Sequence, residues 1–302
     1  MSVSRREFLA SLAVAAAACA RVSSVPTAPS VAPLRFGYSA STWGNLELVA
    51  IDDISKLRFP GIQFRPNIVG HFMRQPSVLR DLMAQKKLTI VALSSGSVVL
   101  DTSVEARMIA DHVARAKFLR DVGGMFLQVT DVKSAAVVTP EECTRLGALL
   151  TEIGRQTAEL GVTLAYHPHM GTIGEKPDDL DRVLAASDTR NVKVLLDVAH
   201  YFQGGGDPVD AIRRHRARLG FVHLTDVETT TAGLGYRFVE LGKGRVNLPA
   251  VFDVLRETGY DGWSLVELDA VTAPDRSAAA SAAISKSYLE SRGFSITAGF
   301  PG

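Results

Sequence analysis

The sequence has few cysteines, almost no net charge and no glycine-rich phosphate loop. Cys19 and Cys143 are the only two cysteines among 302 residues, and the formal net charge is +1. Once the export signal predicted below is removed, Cys143 remains alone and cannot form an internal disulfide. The near-neutral charge disfavours a basic surface for nucleic acid. The first predicted strand ends in YSASTWGN, which lacks the glycine spacing of an open dinucleotide-binding sheet.

The first 20 residues have the features of an export signal. A twin-arginine pattern around Arg5 and Arg6 precedes an uncharged, Ala-rich run over Leu9–Ala18, and Ala18-Cys19-Ala20 offers a small-residue cleavage site. This run is too short to span a bilayer as a permanent helix. We therefore predict a signal peptide over 1–20, a linker over 21–33 and a periplasmic protein. The alternatives are an amphipathic helix start and lipid attachment at Cys19.

From residue 34 onward, apolar runs alternate with helical patterns. Eight runs have the length and composition of strands: Leu34–Ser39, Gly61–Phe64, Leu88–Leu93, Met125–Val129, Val162–Tyr166, Val192–Leu196, Leu219–Leu224 and Trp263–Leu268. A helical pattern follows each run, which predicts a single-domain (β/α)8 TIM barrel over 34–302.

Two helix starts and one connection are predicted in more detail. Thr139, followed by Pro140 and two glutamates, is typical of a helix start, and Ser77 is predicted to cap the helix before the third strand. The stretch 229–246 is polar and contains glycine, so we interpret it as a connection between the seventh strand and the next helix.

Residue types that bind metals or move protons follow the last four predicted strands. They occur in pairs: His167 and His169, Asp197 and His200, His223 and Asp226, Glu267 and Asp269. Each alone is readily explained as a cap or a structural hydrogen-bonding group, but strand ends of a TIM barrel meet over one rim, so together they favour a metal site. His167, Asp197, His223 and Glu267 end the apolar runs themselves and are the predicted ligands. Two imidazoles and two carboxylates suit Mn²⁺, Co²⁺, Fe²⁺ or Zn²⁺ better than Ca²⁺; Mn²⁺ is favoured, and Mg²⁺ stays open.

Candidates for proton transfer and substrate binding lie beside the predicted ligands. His169, His200 and Glu267 are the candidate catalytic residues. His200 and Asp226 are also candidates for orienting the ligands or binding substrate hydroxyls.

Three further residues are weaker candidates for substrate contact. Arg65 follows the second strand, Trp43 the first and Glu175 the fifth. The alternative for Arg65 is a salt bridge and for Trp43 it is core packing. For Glu175 it is an acidic side chain in a solvated loop.

Four segments carry a resemblance to a known family. AYHPHMGT, LLDVAHYFQGGGDP, HLTD and GKGRVNLPAVFDVLRETGYDGWSLVELD resemble the xylose isomerase-like TIM-barrel superfamily, also called sugar phosphate isomerases/epimerases, and within it the inosose dehydratase-like branch. The resemblance implies that Asp197, His223 and Glu267 match family ligands and that His167 stands where the epimerases usually have Glu. The family usually has a lysine at the position of Thr225. Any function of that lysine is therefore in doubt for this sequence.

The resemblance implies chemistry on a small sugar or cyclitol that carries a ketone. A divalent metal would stabilise an enediolate, after which the intermediate is either reprotonated or loses a β-substituent. With only Glu267 of the two glutamates that an epimerase would use, we expect β-elimination, from an inosose or a 3-keto-glycoside. The alternatives are a sugar isomerase/epimerase and a non-catalytic sugar-binding protein; the oligomeric state is left open.

Overall fold

The computed structural model describes residues 34–133, 136–231 and 233–296. The predicted signal peptide (1–20) and linker (21–33) lie outside these described residues. Within the three described ranges, every helix is too short or too polar to cross a membrane.

Eight parallel strands form a closed barrel. Their bounds are β1 (Arg35–Ser39), β2 (Gly61–Phe64), β3 (Thr89–Val98), β4 (Phe126–Asp131), β5 (Thr163–Tyr166), β6 (Val192–Asp197), β7 (Leu219–Leu224) and β10 (Trp263–Val266). Neighbouring strands follow chain order, and β10 pairs with β1 to close the barrel. The predicted TIM barrel is therefore confirmed, with strand limits that differ from the predicted ones by a few residues.

Helices surround the barrel. Their bounds are α1 (Glu47–Lys56), α2 (Asn67–Phe72), α3 (Pro76–Lys86), α4 (Glu105–Asp121), α5 (Pro140–Ala158), α6 (Pro177–Ala185), α7 (Val198–Gln203), α8 (Pro208–His215), α9 (Leu248–Glu257) and α10 (Ala278–Ser291). The predicted start of α5 is confirmed: the Thr139 hydroxyl accepts the Glu142 N–H, and the Glu142 carboxylate accepts the Thr139 N–H. The Ser77 prediction is wrong, because Pro76 already begins α3 and Gln75 precedes it.

The connection after β7 contains secondary structure that was not predicted. It contains an antiparallel hairpin of β8 (Asp226–Thr229) and β9 (Tyr236–Val239), which forms a sheet separate from the barrel. Charged residues and the glycines at 233 and 235 obscure the alternation of apolar and polar residues that would indicate these short strands in the sequence. The hairpin follows the carboxyl end of β7, so it lies on the side of the barrel where active sites are built.

The barrel interior is filled with side chains below the carboxyl-terminal rim. A separate buried cluster consists of Val91, Ala92, Ala165, Leu195, Phe221, Trp263 and Leu265. Two glycines allow close packing around this cluster. A Cβ on Gly61 would lie 2.5 Å from the Trp263 ring. A Cβ on Gly37 would lie 2.8 Å from the Gly61 carbonyl oxygen. The interior is therefore a packed layer, and it supports whatever lies above it.

Candidate metal centre and its cavity

Four polar side chains form the next layer above this interior cluster. His167, Asp197, His223 and Glu267 each follow by two residues one of the interior side chains Ala165, Leu195, Phe221 and Leu265. Because side chains two apart on a strand point the same way, all four continue inward onto the barrel axis. One ligand atom from each lies within 4.8 Å of the others, and all four residues are buried. The structure therefore brings together the four residues predicted to share an ion.

The two carboxylates each have one oxygen held by the protein and one left free. Oδ1 of Asp197 accepts the N–H groups of Ala199 and His200, both at 2.9 Å, and the Thr225 hydroxyl at 2.5 Å. Oδ2 of Asp197 is buried and has no hydrogen-bond partner in the part of the chain that the structure describes. A buried acceptor without a partner is costly, so its position beside three other donor atoms fits a metal ligand.

Glu267 is held in the same way. The hydroxyls of Ser39 and Ser41 donate to its Oε1 at 2.7 Å and 2.9 Å. Its Oε2 lies 2.8 Å from Nδ1 of His223, at the centre of the cluster. One oxygen of each carboxylate is thus oriented by hydroxyl groups, which leaves the other for a cation.

The two histidines also direct a nitrogen to the centre. Nε2 of His223 lies 2.8 Å from Oε1 of Gln63, and since this amide oxygen can only accept, Nε2 carries the proton. Nδ1 of His223 then faces the two carboxylates, 3.6 Å from Oδ2 of Asp197, without hydrogen-bond geometry. Nδ1 of His167 is likewise buried without a partner. Unpartnered nitrogens and oxygens converging from four strands fit one divalent cation.

The charges of the centre suit a cation as well. Burial raises the pKa of Asp197, but the adjacent His200 and His223 more than offset this and bring it to about 2. The pKa of Glu267 is also lowered, since His223 outweighs the effect of burial. Burial lowers the pKa of His223, while Glu267 and Asp197 raise it, to about 9. His167 is buried and its pKa lies well below the usual value, so it is a neutral ligand.

Two further histidines flank the centre and are oriented by one peptide group. The N–H at Nδ1 of His169 donates to the Met170 carbonyl oxygen at 2.7 Å, and the Met170 N–H donates to Nδ1 of His200 at 3.2 Å. In the neutral rings, Nε2 of His169 therefore has a lone pair and Nε2 of His200 has a proton. The two imidazoles are fixed as opposite tautomers, one able to accept a proton and the other able to donate one.

A cavity of about 800 Å³ opens over the four-residue centre. His169, His200 and Arg65 line it, as the substrate-side predictions require. Polar groups from the other half of the barrel also line it, namely Gln63, Ser94, Gln128 and Thr130, as does Asp269 after β10. Burial and the neighbouring Glu267 raise the pKa of Asp269 to about 6.

Asp226 does not line this cavity, although it was predicted to bind substrate or orient ligands. Its Oδ1 accepts the N–H groups of Val227 and Val246, and its Oδ2 those of Gly242 and Gly244, at 2.9–3.1 Å. The carboxylate is 1% exposed and fully used by the backbone. Its position supports an anchoring function for the loop after the hairpin rather than substrate contact.

Glu175 and Trp43 also lie outside the cavity, and their positions give no support to substrate contact. The Glu175 carboxylate forms a 2.8 Å ion pair with Lys133 and accepts the Gly171 N–H. The Trp43 indole N–H donates to Asp53, and its ring is buried in the core. The structure fits the alternative of core packing for Trp43. Glu175 instead forms a structural ion pair.

Sequence reasoning missed the residues that orient the ligands. Gln63 stands in a strand whose other members are apolar or glycine, so a buried amide was the available signal. Ser39 and Ser41 lie in YSASTWGN, a segment whose glycine spacing excludes a phosphate-binding loop but does not indicate contacts to Glu267. Thr225 was noted as a missing lysine, and its hydrogen bond to Asp197 could not be read from one sequence.

Comparisons with known proteins agree with this geometry. A family model described as the xylose isomerase-like TIM barrel matches residues 51–288. The rhizopine catabolism protein MocC of Rhizobium meliloti is 31% identical over 194 residues, which cover 56% of this chain and 58% of that protein, just over half its length. The inosose dehydratase of Geobacillus kaustophilus is 26% identical over 274 residues, which cover 79% of this chain and 88% of that enzyme.

The solved structures agree on the fold. The IOLI protein with a binding zinc atom superposes with a TM-score of 0.73 at 16% identity, covering 89% of this chain and 100% of that chain. At this identity the likeness concerns the fold, and the donor atoms of this chain are the evidence for its own metal site.

Proposed function

Because this chain belongs to the xylose isomerase-like TIM barrel family, we propose that it is a divalent-metal-dependent enzyme that carries out β-elimination on a keto-sugar or keto-cyclitol. One observation carries the proposal: four potential ligand atoms lie within 4.8 Å of one another, beside two imidazoles of opposite tautomer that line the same cavity. The similarity to inosose dehydratases supports the same class of reaction.

His167, Asp197, His223 and Glu267 would hold a divalent ion, proposed to be Mn²⁺, and its Lewis acidity would make the C–H beside a substrate ketone more acidic. The lone pair of His169 Nε2 accepts the Thr130 hydroxyl at 3.0 Å, and it accepts the substrate proton when the substrate takes the place of this hydroxyl. His200 presents the Nε2 proton and donates it to the departing oxygen. Proton acceptor and donor are thus separate groups, as an elimination requires.

The polar groups of the opposite rim are proposed to position the substrate. Arg65, Gln128 and Thr130 line the cavity and offer donors for hydroxyl and carbonyl oxygens. The predicted twin-arginine signal favours a 3-keto-glycoside over an inosose, because a periplasmic enzyme meets external glycosides. Export itself remains a prediction.

The test combines metal analysis with product analysis. The purified full chain is assayed for bound metal and incubated, with Mn²⁺, with 2-keto-myo-inositol and with 3-keto-glucosides. Loss of water or release of the aglycone supports elimination, whereas a product of unchanged mass supports the isomerase/epimerase alternative. Bound metal without turnover of any keto compound removes the proposal and favours a binding protein.

The metal site has its own control. His223→Ala should abolish metal binding, because it removes the nitrogen that lies between both carboxylates. His71→Ala removes an exposed histidine outside the cavity and should leave the metal content unchanged.

A further inference from the structure

One wall of the cavity is apolar and is not needed for chemistry at the four-residue centre. A row of rings leads outward from the proton-transfer pair: His200 to Phe238 at 4.4 Å and Phe238 to Tyr236 at 5.8 Å between centroids. Leu234, further out on the hairpin, also lines the cavity and is 80% exposed. The row therefore runs from the buried floor to the mouth.

The hairpin holds these side chains on one face. Phe238 pairs with Val227 and Tyr236 with Thr229 in the antiparallel ladder, so side chains at even positions of β9 share a side. The Asp226 carboxylate, at the start of β8, fixes the loop that follows the hairpin. The apolar wall is thus anchored at its base.

A second apolar surface lies elsewhere in the same cavity. Ala270 and Val271, which follow the last barrel strand, line it together with the hairpin side chains. The cavity of about 800 Å³ is in the range of about 300–1,000 Å³ that accommodates drug-sized ligands, well beyond one six-membered ring. Arg237, which is ion-paired with Glu228, and Thr272 also line the cavity, so the space not required by the reacting ring is bounded in part by apolar side chains.

We propose that this outer part of the cavity is a subsite for an aromatic aglycone, so that the substrate is an aryl keto-glycoside. The inference rests on the function proposed above. An aromatic ring can stack on Phe238 and Tyr236 and cover Leu234, which removes apolar surface from water. A second sugar ring would instead place hydroxyl groups against Leu234 and Val271, whose side chains offer no hydrogen-bond partner.

The reaction balances without an oxidant or a reductant. Nε2 of His169 takes the proton from the carbon beside the ketone, and a C=C bond forms between that carbon and the anomeric carbon. The anomeric C–O bond breaks with its electron pair on the aglycone oxygen, which takes the Nε2 proton of His200. The products are an unsaturated keto-sugar and a free phenol, and exchange with solvent restores both histidines.

The experiment compares aglycones on the Mn²⁺-loaded full chain. Turnover of phenyl, methyl and glucosyl 3-keto-β-glucosides is measured as kcat/KM. Binding of the corresponding unoxidised phenyl and methyl β-glucosides is measured by calorimetry, which does not depend on turnover. We expect the phenyl compound to be favoured about tenfold in each assay, as burial of one ring implies.

Variants assign the preference to the wall. Leu234→Ser and Val271→Ser, on the two apolar surfaces, should each reduce the phenyl-to-methyl ratio severalfold. Val137→Ser is the matched control, since Val137 is 77% exposed and lies outside the cavity lining. This control should keep the wild-type ratio.

The outcomes separate the two proposals. Equal turnover of phenyl and methyl compounds, or a preference for the glucosyl compound, overturns the aryl subsite while elimination stands. No turnover of any compound overturns elimination, and the calorimetric ratio then decides the subsite alone. A phenyl preference that Leu234→Ser and Val271→Ser leave intact also contradicts the subsite.

Discussion

Hydroxyl groups orient both carboxylates of the four-residue centre. Ser39 and Ser41 donate to one oxygen of Glu267, and Thr225 donates to one oxygen of Asp197. Each hydrogen bond fixes which oxygen faces the cluster, so the free atoms are placed before a cation arrives. Partners of this kind commonly influence metal affinity by 10- to 100-fold.

Thr225→Val tests this orientation. The variant keeps the side-chain shape but removes the donor to Oδ1 of Asp197, so divalent-metal affinity should fall by roughly 10- to 100-fold. Competition with a chelator measures the change. Thr144→Val, which removes an exposed helical hydroxyl bonded to the Pro140 carbonyl, is the control and should bind metal normally. Equal affinities in both variants would contradict a role for Thr225.

His169→Gln tests the proton acceptor. The amide cannot take up a proton, so kcat should fall by roughly 10²- to 10⁴-fold. The metal content should stay unchanged, because His169 is outside the four-residue cluster. Turnover and metal analysis on the same preparation check both statements. An unchanged kcat would show that another group removes the proton.

The site residues that could be predicted from the sequence are those that lie at the end of a strand. His167, Asp197, His223 and Glu267 could be predicted because each ends an apolar run, and runs of a TIM barrel converge. Asp226 also follows the seventh apolar run, yet its carboxylate accepts three backbone N–H groups from a distant loop and one from the adjacent Val227. Long-range hydrogen bonds of this kind leave no local pattern.

Glycines at the barrel strands permit the dense interior layer. Gly37 in β1 and Gly61 in β2 face the large side chains of Leu265 and Trp263, which β10 contributes from the other side of the closure. Small residues opposite large ones allow the layer to fill without strain. The packed layer in turn supports the polar centre two residues further along the strands.

Gly37→Ala tests this packing. The added methyl group would lie 2.8 Å from the Gly61 carbonyl oxygen, so we expect destabilisation of about 1–3 kcal/mol. Gly70→Ala, in α2 with open space around its Cβ, should be neutral or slightly stabilising. Urea unfolding of both variants measures the difference. Similar stabilities would mean that the layer is more compliant than its geometry indicates.

At the level of elements, the eight barrel strands were predictable and the hairpin was not. Barrel strands are continuous apolar runs, which a sequence displays directly. Strand β9 reads Tyr-Arg-Phe-Val, too short and too close to glycine to stand out from a polar connection. Its ladder with β8 depends on the anchored loop that follows, and tertiary contacts of that kind are absent from a local pattern.

A buried carboxylate at the start of α1 makes the stability of the whole barrel depend on pH. Glu47 is 1% exposed, and the backbone and the charge of Arg65 only partly offset the effect of burial on its pKa. Burial raises its pKa from the ordinary value of 4.5 to about 7. The folded protein therefore holds this proton more tightly than the unfolded chain, and stability is lost as the pH rises from about 4.5 through 7.

Glu47→Gln should remove this part of the pH dependence. The variant and the parent should unfold at similar urea concentrations at pH 4.5, since both side chains are then neutral. At pH 8 the variant should be more stable by up to about 3 kcal/mol, because the parent must bury a charge. Unfolding curves at both values measure this. A constant difference between the two pH values would contradict it.

Among the described residues, β8 and β9 pair only with each other, so the hairpin has no ladder pairing with the barrel sheet there. Insertions or exchanges at its tip can therefore accumulate without changing barrel register, as surface loops tolerate them. Related proteins with this fold can therefore change the groups that bind at the cavity opening by exchanging the hairpin. The residues of the four-residue centre stay the same. For protein engineers, the same separation makes the tip a natural library position.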